Sequence, residues 1–192
     1  MLGLSNPPFF REASSIFSTL AAAPLHPYIR RMFDFAPPQH ADKAAIYADL
    51  LSAAEAITRG EPDAVANMAN VAALIWQFLP DLNWAGFYRM VEGGLVLGPF
   101  QGKPACIRIP LGRGVCGTAA ASGQTQLVED VHAFPGHIAC DAASASEIVV
   151  PVMRDGVVLA VLDLDSPRPA RFDAADQAGL EALVASIAAR LA

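Results

Sequence analysis

Hydrophobic residues recur every three or four positions in three stretches of the chain, which is the spacing of one face of an α-helix. The first stretch ends before Gly60, and the second lies between Pro62 and Pro80. The third follows Asp173, which with Asp176 predicts a capping box. The predicted buried stripes are Ile46, Leu50, Ala53, Ala54 and Ile57, then Val65, Met68, Ala72, Ile75 and Leu79, then Leu180, Leu183, Val184, Ile187 and Leu191.

Between the second and third helices, hydrophobic and polar positions alternate, which is typical of β-strands. In NWAGFYR the alternation places Trp84, Gly86 and Tyr88 on one face, so two aromatic rings flank a gap at the glycine. Such aromatics are more often core residues than pocket walls. A turn at 92–94 leads to a second antiparallel strand, LVLGPF, and Asp155-Gly156 predicts a tight hairpin. Together with the flanking helices, these strands predict an α+β fold with helices packed on one sheet.

A glycine-rich segment, CIRIPLGRGVCGTAAASG, lies between the strands. It predicts a short strand, a loop and a helix that begins near Val115. Backbone N–H groups at such a helix start can hold an anion, for example a carboxylate. A further strand around QLVED and a loop through His132 and His137 then lead to Cys140.

The first forty residues differ from the rest because they contain six of the 15 prolines. This spacing leaves room only for short helical turns. We therefore expect residues 1–40 to form a poorly ordered extension, or to be sequence upstream of a true start at Met32. Residues 41–192 are expected to form one domain, since a chain of 192 residues can bury one sizeable core.

Charge and hydropathy exclude some classes of partner. A net charge of −6 does not favour binding to a nucleic acid, which requires a basic face. Every apolar run is interrupted before it reaches the ~20 residues that span a bilayer, so we expect no membrane segment. The three cysteines are an odd number, which is unsuited to a closed disulfide framework and typical of a reducing compartment. We expect a cytoplasmic protein.

The cysteines are the first candidates for chemistry. Cys116 follows Cys106 by ten positions and Cys140 follows Cys116 by 24, so no C-x-x-C pair predicts a metal site. The thiols can simply pack as small hydrophobic groups, but Cys116 and Cys140 lie in loop-like sequence, where thiols are reachable. Cys140 is the best candidate nucleophile, because His137 precedes it closely and small residues surround it. His137 is almost as well explained as a surface histidine.

The acids near the end of the hairpin are the second candidates. Asp163 and Asp165 are two positions apart, hence on one face of a strand, where they should titrate as a coupled pair with one raised pKa. The alternative is a strand end that turns into solvent. Glu147 begins the partner strand, but a regular hairpin pairs Ile148, not Glu147, with Asp163. A bulge near Pro151 or a longer turn is required to bring Glu147 to the same face.

From about Ala41 to the C-terminus, the chain resembles the free methionine-(R)-sulfoxide reductases, which are built on a GAF domain. The segments that carry the resemblance are NWAGFYR, LVLGPFQGKPACIRIPLGRGVCGTA, VEDVHAFPGHIACDAASASEIVVPV and VLDLDS. The resemblance implies a GAF-like fold, a homodimer, and reduction of free L-methionine-(R)-sulfoxide without a cofactor. The alternative is a GAF-type sensor of a small molecule such as a cyclic nucleotide, but a purine pocket has no need for three cysteines.

The resemblance also implies residue roles. Cys140 attacks the sulfoxide sulfur, methionine leaves, and the resulting sulfenic acid forms a disulfide with a second cysteine, which thioredoxin then reduces. Cys106 is the first choice for this resolving thiol and Cys116 the alternative. The implied acids, which polarise the sulfoxide, are Glu147, Asp163 and Asp165. The implied pocket residues are Trp84 at the methyl group, with Tyr88 and Asp141 around the amino acid.

Overall fold

The computed structural model of the protein describes residues 42–138 and 141–191. The predicted extension of residues 1–40 and the predicted nucleophile Cys140 lie outside this part of the chain. The elements are α1 (Lys43–Ile57), α2 (Ala64–Phe78), β1 (Trp84–Val91), β2 (Gly94–Gly102), β3 (Arg108–Ile109), α3 (Gly114–Ser122), β4 (Gln126–Val128), β5 (Ser146–Arg154), β6 (Val157–Ser166) and α4 (Ala174–Ile187). All strands pair antiparallel in the order β3-β2-β1-β6-β5-β4, which confirms the predicted α+β class.

Aspartates begin the three long helices. The side chains of Asp42 and Asp63 each accept a hydrogen bond of 2.8 Å from the backbone N–H three residues later. Asp173 and Asp176 form the predicted capping box at α4. The predicted stripe of α2 is wrong at Val65, which is 45% exposed. Val65 lies in the first turn of α2, which begins at Ala64.

The described residues form two hydrophobic clusters, one on each face of the sheet. Helices α2 and α4 pack on one face, where alternate strand residues such as Phe87, Leu162 and Leu164 are fully buried, and α1 packs against these two helices. Helix α3 packs on the opposite face, against a smaller cluster that includes Trp84 and Tyr88. This division confirms the predicted alternation in β1. Among the described residues, no helix combines the length and the apolar character that crossing a bilayer requires.

The hairpin of β5 and β6 contains one extra residue. The turn residues Asp155 and Gly156 both have positive φ angles, 51° and 78°, as a two-residue turn of the predicted kind requires. Met153 then pairs with Val158, whereas Val152 pairs with Ala160, so Leu159 has no partner opposite it. This bulge changes the register of all later residue pairs by one position.

Candidate active site

The bulge brings three carboxyl groups to one face of the sheet. Glu147 is paired with Asp165, and Asp163 lies two residues earlier on β6 and therefore faces the same side. The regular register, which pairs Ile148 with Asp163, is wrong. The bulge that was needed to bring Glu147 to the same face is present close to Pro151.

Burial is almost complete for Glu147 and Asp163 and partial for Asp165. Glu147 is 6% and Asp163 is 5% exposed, so the interpretation of a strand end in solvent is wrong. Within the described residues, no Lys, Arg or His forms an ion pair with Glu147, Asp163 or Asp165.

Burial without a cation changes the acidity of the cluster. Desolvation raises the pKa of Glu147 and of Asp163 well above the usual carboxyl range, and the charge of the neighbouring acids adds to the effect. The two carboxyl groups hydrogen-bond to each other. Desolvation also raises the pKa of Asp165 to about 7, although a hydrogen bond from Ser144 favours its charged form. The cluster therefore retains protons at neutral pH and can donate them.

Cys116 lies in the first turn of α3, directly over the acids. Its Sγ is 3.9 Å from Oε1 of Glu147, and the residue is only 4% exposed. The expectation of a reachable thiol is wrong for Cys116, because the glycine-rich loop ends at Arg113 and the helix packs on the sheet. Desolvation, followed by the charges of Asp163 and Glu147, raises the pKa of the thiol. Cys116 has a free thiol, whereas Cys106 is disulfide-bonded.

Three aromatic rings stack beside the acids. The ring centroid of Trp84 is 5.7 Å from that of Tyr88 and 5.3 Å from that of Phe100. The indole N–H of Trp84 donates a 3.1 Å hydrogen bond to the carbonyl of Lys103. Phe100 was missed by the sequence analysis, because its place opposite Gly86 depends on an irregular register between β1 and β2.

The predicted gap at Gly86 is filled. A Cβ atom at this position would lie 2.4 Å from Cβ of Phe100 and 2.8 Å from the carbonyl oxygen of Pro99. Strand β2 thus uses the missing side chain to approach β1 closely, and the prediction of an open gap is wrong. The glycine supports the aromatic stack and does not provide space for a ligand.

A polar network also adjoins the acids. Nδ2 of Asn83 donates to Oδ2 of Asp141 at 3.2 Å and to Oγ of Ser144 at 3.0 Å. Nζ of Lys103 is 3.2 Å from Oδ2 of Asp141. A hydrogen bond from the N–H of Ala143, with smaller contributions from Asn83 and Lys103, lowers the pKa of Asp141, which is therefore a carboxylate at neutral pH. Asn83 and Ser144 were also missed, since neither has a sequence signal beyond its nearness to Trp84 or Asp141.

These groups surround a cavity of about 30 Å³. Its walls contain six of the residues that the sequence analysis selected, namely Tyr88, Cys116, Asp141, Glu147, Asp163 and Asp165. His137 also lines it, but desolvation lowers the pKa of this histidine, so it does not supply the positive charge that would activate a nearby thiol. Chemically, the site combines neutral acids, a buried thiol and one charged carboxylate.

The fold and site together define a GAF-domain protein, and the family model for the GAF domain matches residues 65–192. Free methionine-R-sulfoxide reductase of Escherichia coli is 53% identical over 146 residues, which are 76% of this chain and 88% of that enzyme. The chain belongs to the free methionine-R-sulfoxide reductase family, a family of oxidoreductases.

Solved structures support the same family. A free methionine-R-sulfoxide reductase from Neisseria meningitidis, in complex with its substrate, superposes with a TM-score of 0.78 at 46% identity, covering 82% of this chain and 95% of that one. A candidate GAF sensor protein from Burkholderia vietnamiensis gives a TM-score of 0.76 at 58% identity, covering 78% of this chain and 96% of that one.

Proposed function

We propose that the protein reduces free L-methionine-(R)-sulfoxide to L-methionine by thiol chemistry. The observation that carries this proposal is the set of three neighbouring carboxyl groups, two of them buried, without a cationic partner among the described residues. A sulfoxide sulfur is a poor electrophile until its oxygen accepts a proton or a strong hydrogen bond. Burial keeps protons on Glu147 and Asp163, so the site offers such donors at neutral pH.

In the proposed reaction, Cys140 is the nucleophile. Its sulfur forms a bond to the sulfoxide sulfur, whose oxygen takes up a proton. This sulfur–sulfur bond and the sulfur–oxygen bond then break as the oxygen passes to the sulfur of Cys140, which gives a sulfenic acid and free methionine. A thiol of Cys106 then displaces water and forms a disulfide. The dithiol of thioredoxin reduces this disulfide and is itself oxidised.

The bonding states of Cys106 and Cys116 support the assignment of Cys106 as the resolving thiol. Cys106 is disulfide-bonded in the structure, whereas Cys116 keeps a free and buried thiol. Burial also raises the pKa of Cys116, which makes its thiolate scarce. We propose that Cys116 instead contributes a neutral S–H group to the acid cluster.

The polar groups at the pocket also match the two charges of a free amino acid. The Asp141 carboxylate is a partner for the ammonium group, and the backbone N–H groups at the start of α3 are partners for the carboxylate. Tyr88 lines the cavity and Trp84 stacks on it, and we propose that this aromatic pair faces the methyl group. A cytoplasmic location and a homodimer complete the proposal, and these rest on the cysteine count and on the resemblance.

The charged carboxylate at the cavity argues against a cyclic-nucleotide sensor. Such a ligand carries a negative phosphate, which the Asp141 carboxylate would repel. A sulfoxide is neutral, and its oxygen gains from acid donors. Charge thus favours the reductase over the sensor.

The test is an assay coupled to thioredoxin, thioredoxin reductase and NADPH, performed on separated sulfoxide epimers. We expect turnover of the (R) epimer alone. Cys140→Ser should release no methionine, Cys106→Ser should release one methionine per protein without recycling, and the matched control Cys116→Ser should still recycle. Methionine release by Cys140→Ser would refute the nucleophile assignment, and loss of recycling in Cys116→Ser would transfer the resolving role to Cys116.

A further inference from the structure

The buried thiol and two of the acids have a spacing that suits a metal ion. One ligand atom from each of Cys116, Glu147 and Asp163 lies within 4.8 Å of the other two. Around a tetrahedral ion with bonds of about 2.0–2.3 Å, neighbouring ligand atoms are about 3.3–3.7 Å apart. The distance of 3.9 Å between Sγ of Cys116 and Oε1 of Glu147 is close to this range.

A second, independent observation points to a ligand at this place. Oδ1 of Asp163 is buried and accepts no hydrogen bond from any described group outside the cluster of Cys116, Glu147 and Asp163, although the residue is only 5% exposed. Buried oxygen atoms in proteins almost always have a partner, so one beside a cavity without a partner outside the cluster indicates a group that binds there. Among the described residues, no cationic side chain forms an ion pair with these acids, so a bound cation would not compete with one.

The cavity size also fits an ion. A volume of about 30 Å³ has room for a metal ion with one or two water ligands. The mixed donor set selects among metals, because a thiolate beside carboxylates suits Zn²⁺ or Co²⁺ and does not suit Mg²⁺ or Ca²⁺.

We propose that Cys116, Glu147 and Asp163 form a binding site for a thiophilic divalent cation of the Zn²⁺ class. Binding displaces the protons of the thiol and the two carboxyl groups to solvent and leaves a fourth ligand position to water. The ion occupies the groups that polarise the sulfoxide, so it excludes substrate and inhibits the reductase. Only this inhibitory consequence rests on the proposed function, because ion binding itself requires no catalysis.

The test uses Co²⁺ as a spectroscopic probe in the full chain carrying Cys106→Ser and Cys140→Ser, where Cys116 is the remaining thiol. We expect one Co²⁺ per chain, with a near-ultraviolet thiolate-to-cobalt band and the visible bands of a tetrahedral site. Adding Cys116→Ala should remove the near-ultraviolet band. Adding Glu147→Gln should weaken binding at least ~10-fold, whereas the matched exposed change Glu129→Gln should not. A cobalt spectrum without a thiolate band, or one insensitive to Cys116→Ala, would overturn the proposal.

A second measurement uses the Cys106→Ser, Cys140→Ser double variant alone and therefore leaves Cys116, Glu147 and Asp163 unchanged. The ¹¹³Cd resonance of the cadmium-loaded chain should fall between those of all-oxygen and two-thiolate sites, and an all-oxygen shift would overturn the proposal. Free methionine sulfoxide should displace Co²⁺ in competition. If the sulfoxide does not displace Co²⁺, the proposed metal site stands and the proposed substrate pocket is refuted. The two proposals can therefore fail separately.

Discussion

Replacing Gly86 by alanine tests whether close strand packing supports the active site. The added Cβ would lie 2.4 Å from Cβ of Phe100, 2.7 Å from its Cα and 2.8 Å from the carbonyl oxygen of Pro99. Ordinary contacts begin near 3.4 Å, so β2 must move by about 1 Å. Overpacking of this kind costs about 1–3 kcal/mol, and the upper half of that range applies here because backbone atoms cannot rotate away. For a domain of this size, we expect the Tm to fall by about 4–12 °C.

The same displacement should reduce activity, because Phe100 stacks on Trp84 with a centroid distance of 5.3 Å. A misplacement of about 1 Å at a catalytic site can cost ~100-fold, so we expect kcat/KM to fall by between ~10-fold and ~100-fold at a temperature where the variant is folded. Thermal unfolding by circular dichroism and the thioredoxin-coupled assay measure the two effects separately.

A matched control is available on β2. An added Cβ at Gly94 would meet only the carbonyl oxygen of Ile109, at 3.8 Å, so Gly94→Ala should change stability by less than ~0.5 kcal/mol. Combining Gly86→Ala with Phe100→Ala should not restore the Tm, because Cα of Phe100 and the Pro99 oxygen remain in place. An unchanged Tm and activity for Gly86→Ala, or full rescue by the second change, would refute the reasoning.

Three further outcomes are expected. Because burial raises the pKa of Asp165 to about 7 and the reaction needs its neutral form, single-turnover methionine release should decline as pH rises above about 7. Asp165→Asn should remove that decline, and an identical pH profile would contradict a role for this acid. N-acetyl-methionine sulfoxide should have a kcat/KM at least ~100-fold below that of the free amino acid, since Asp141 loses its ammonium partner; comparable values would exclude an enclosed pocket. Lys103→Met removes a cation that competes for Asp141, so KM should fall by up to about fivefold at low salt without a change in kcat, while Lys103→Arg should behave as the wild type.

The sequence predicted those features that depend on local periodicity. Alternation in NWAGFYR placed Trp84 and Tyr88 on the site face of β1, and the turn residues Asp155-Gly156 located the hairpin. The capping pair of Asp173 and Asp176 fixed the start of α4. Each of these signals involves residues within a few positions of one another, where sterics and hydrogen bonding act without knowledge of the fold.

The features that could not be predicted depend on pairing between distant segments. Nothing in the sequence near Leu159 indicates that this residue is unpaired. The sequence therefore predicted that Glu147 joins the aspartates only if a bulge or a longer turn is present. The close approach of β2 at Gly86 depends on a register irregularity in another strand. Burial of Cys116 depends on where α3 packs, and a glycine-rich sequence gives no information on that contact.

The unpaired residue of the second hairpin also determines where this chain can tolerate a change in length. Removing Leu159 would leave the pairs on both sides of it intact, because Met153 would still face Val158 and Val152 would still face Ala160. Removing a residue between Ala160 and Asp163 would instead exchange the two sides of the strand and place the acids in the helix-covered layer. Insertions and deletions among relatives should therefore collect at 159 and be absent from the three positions that follow.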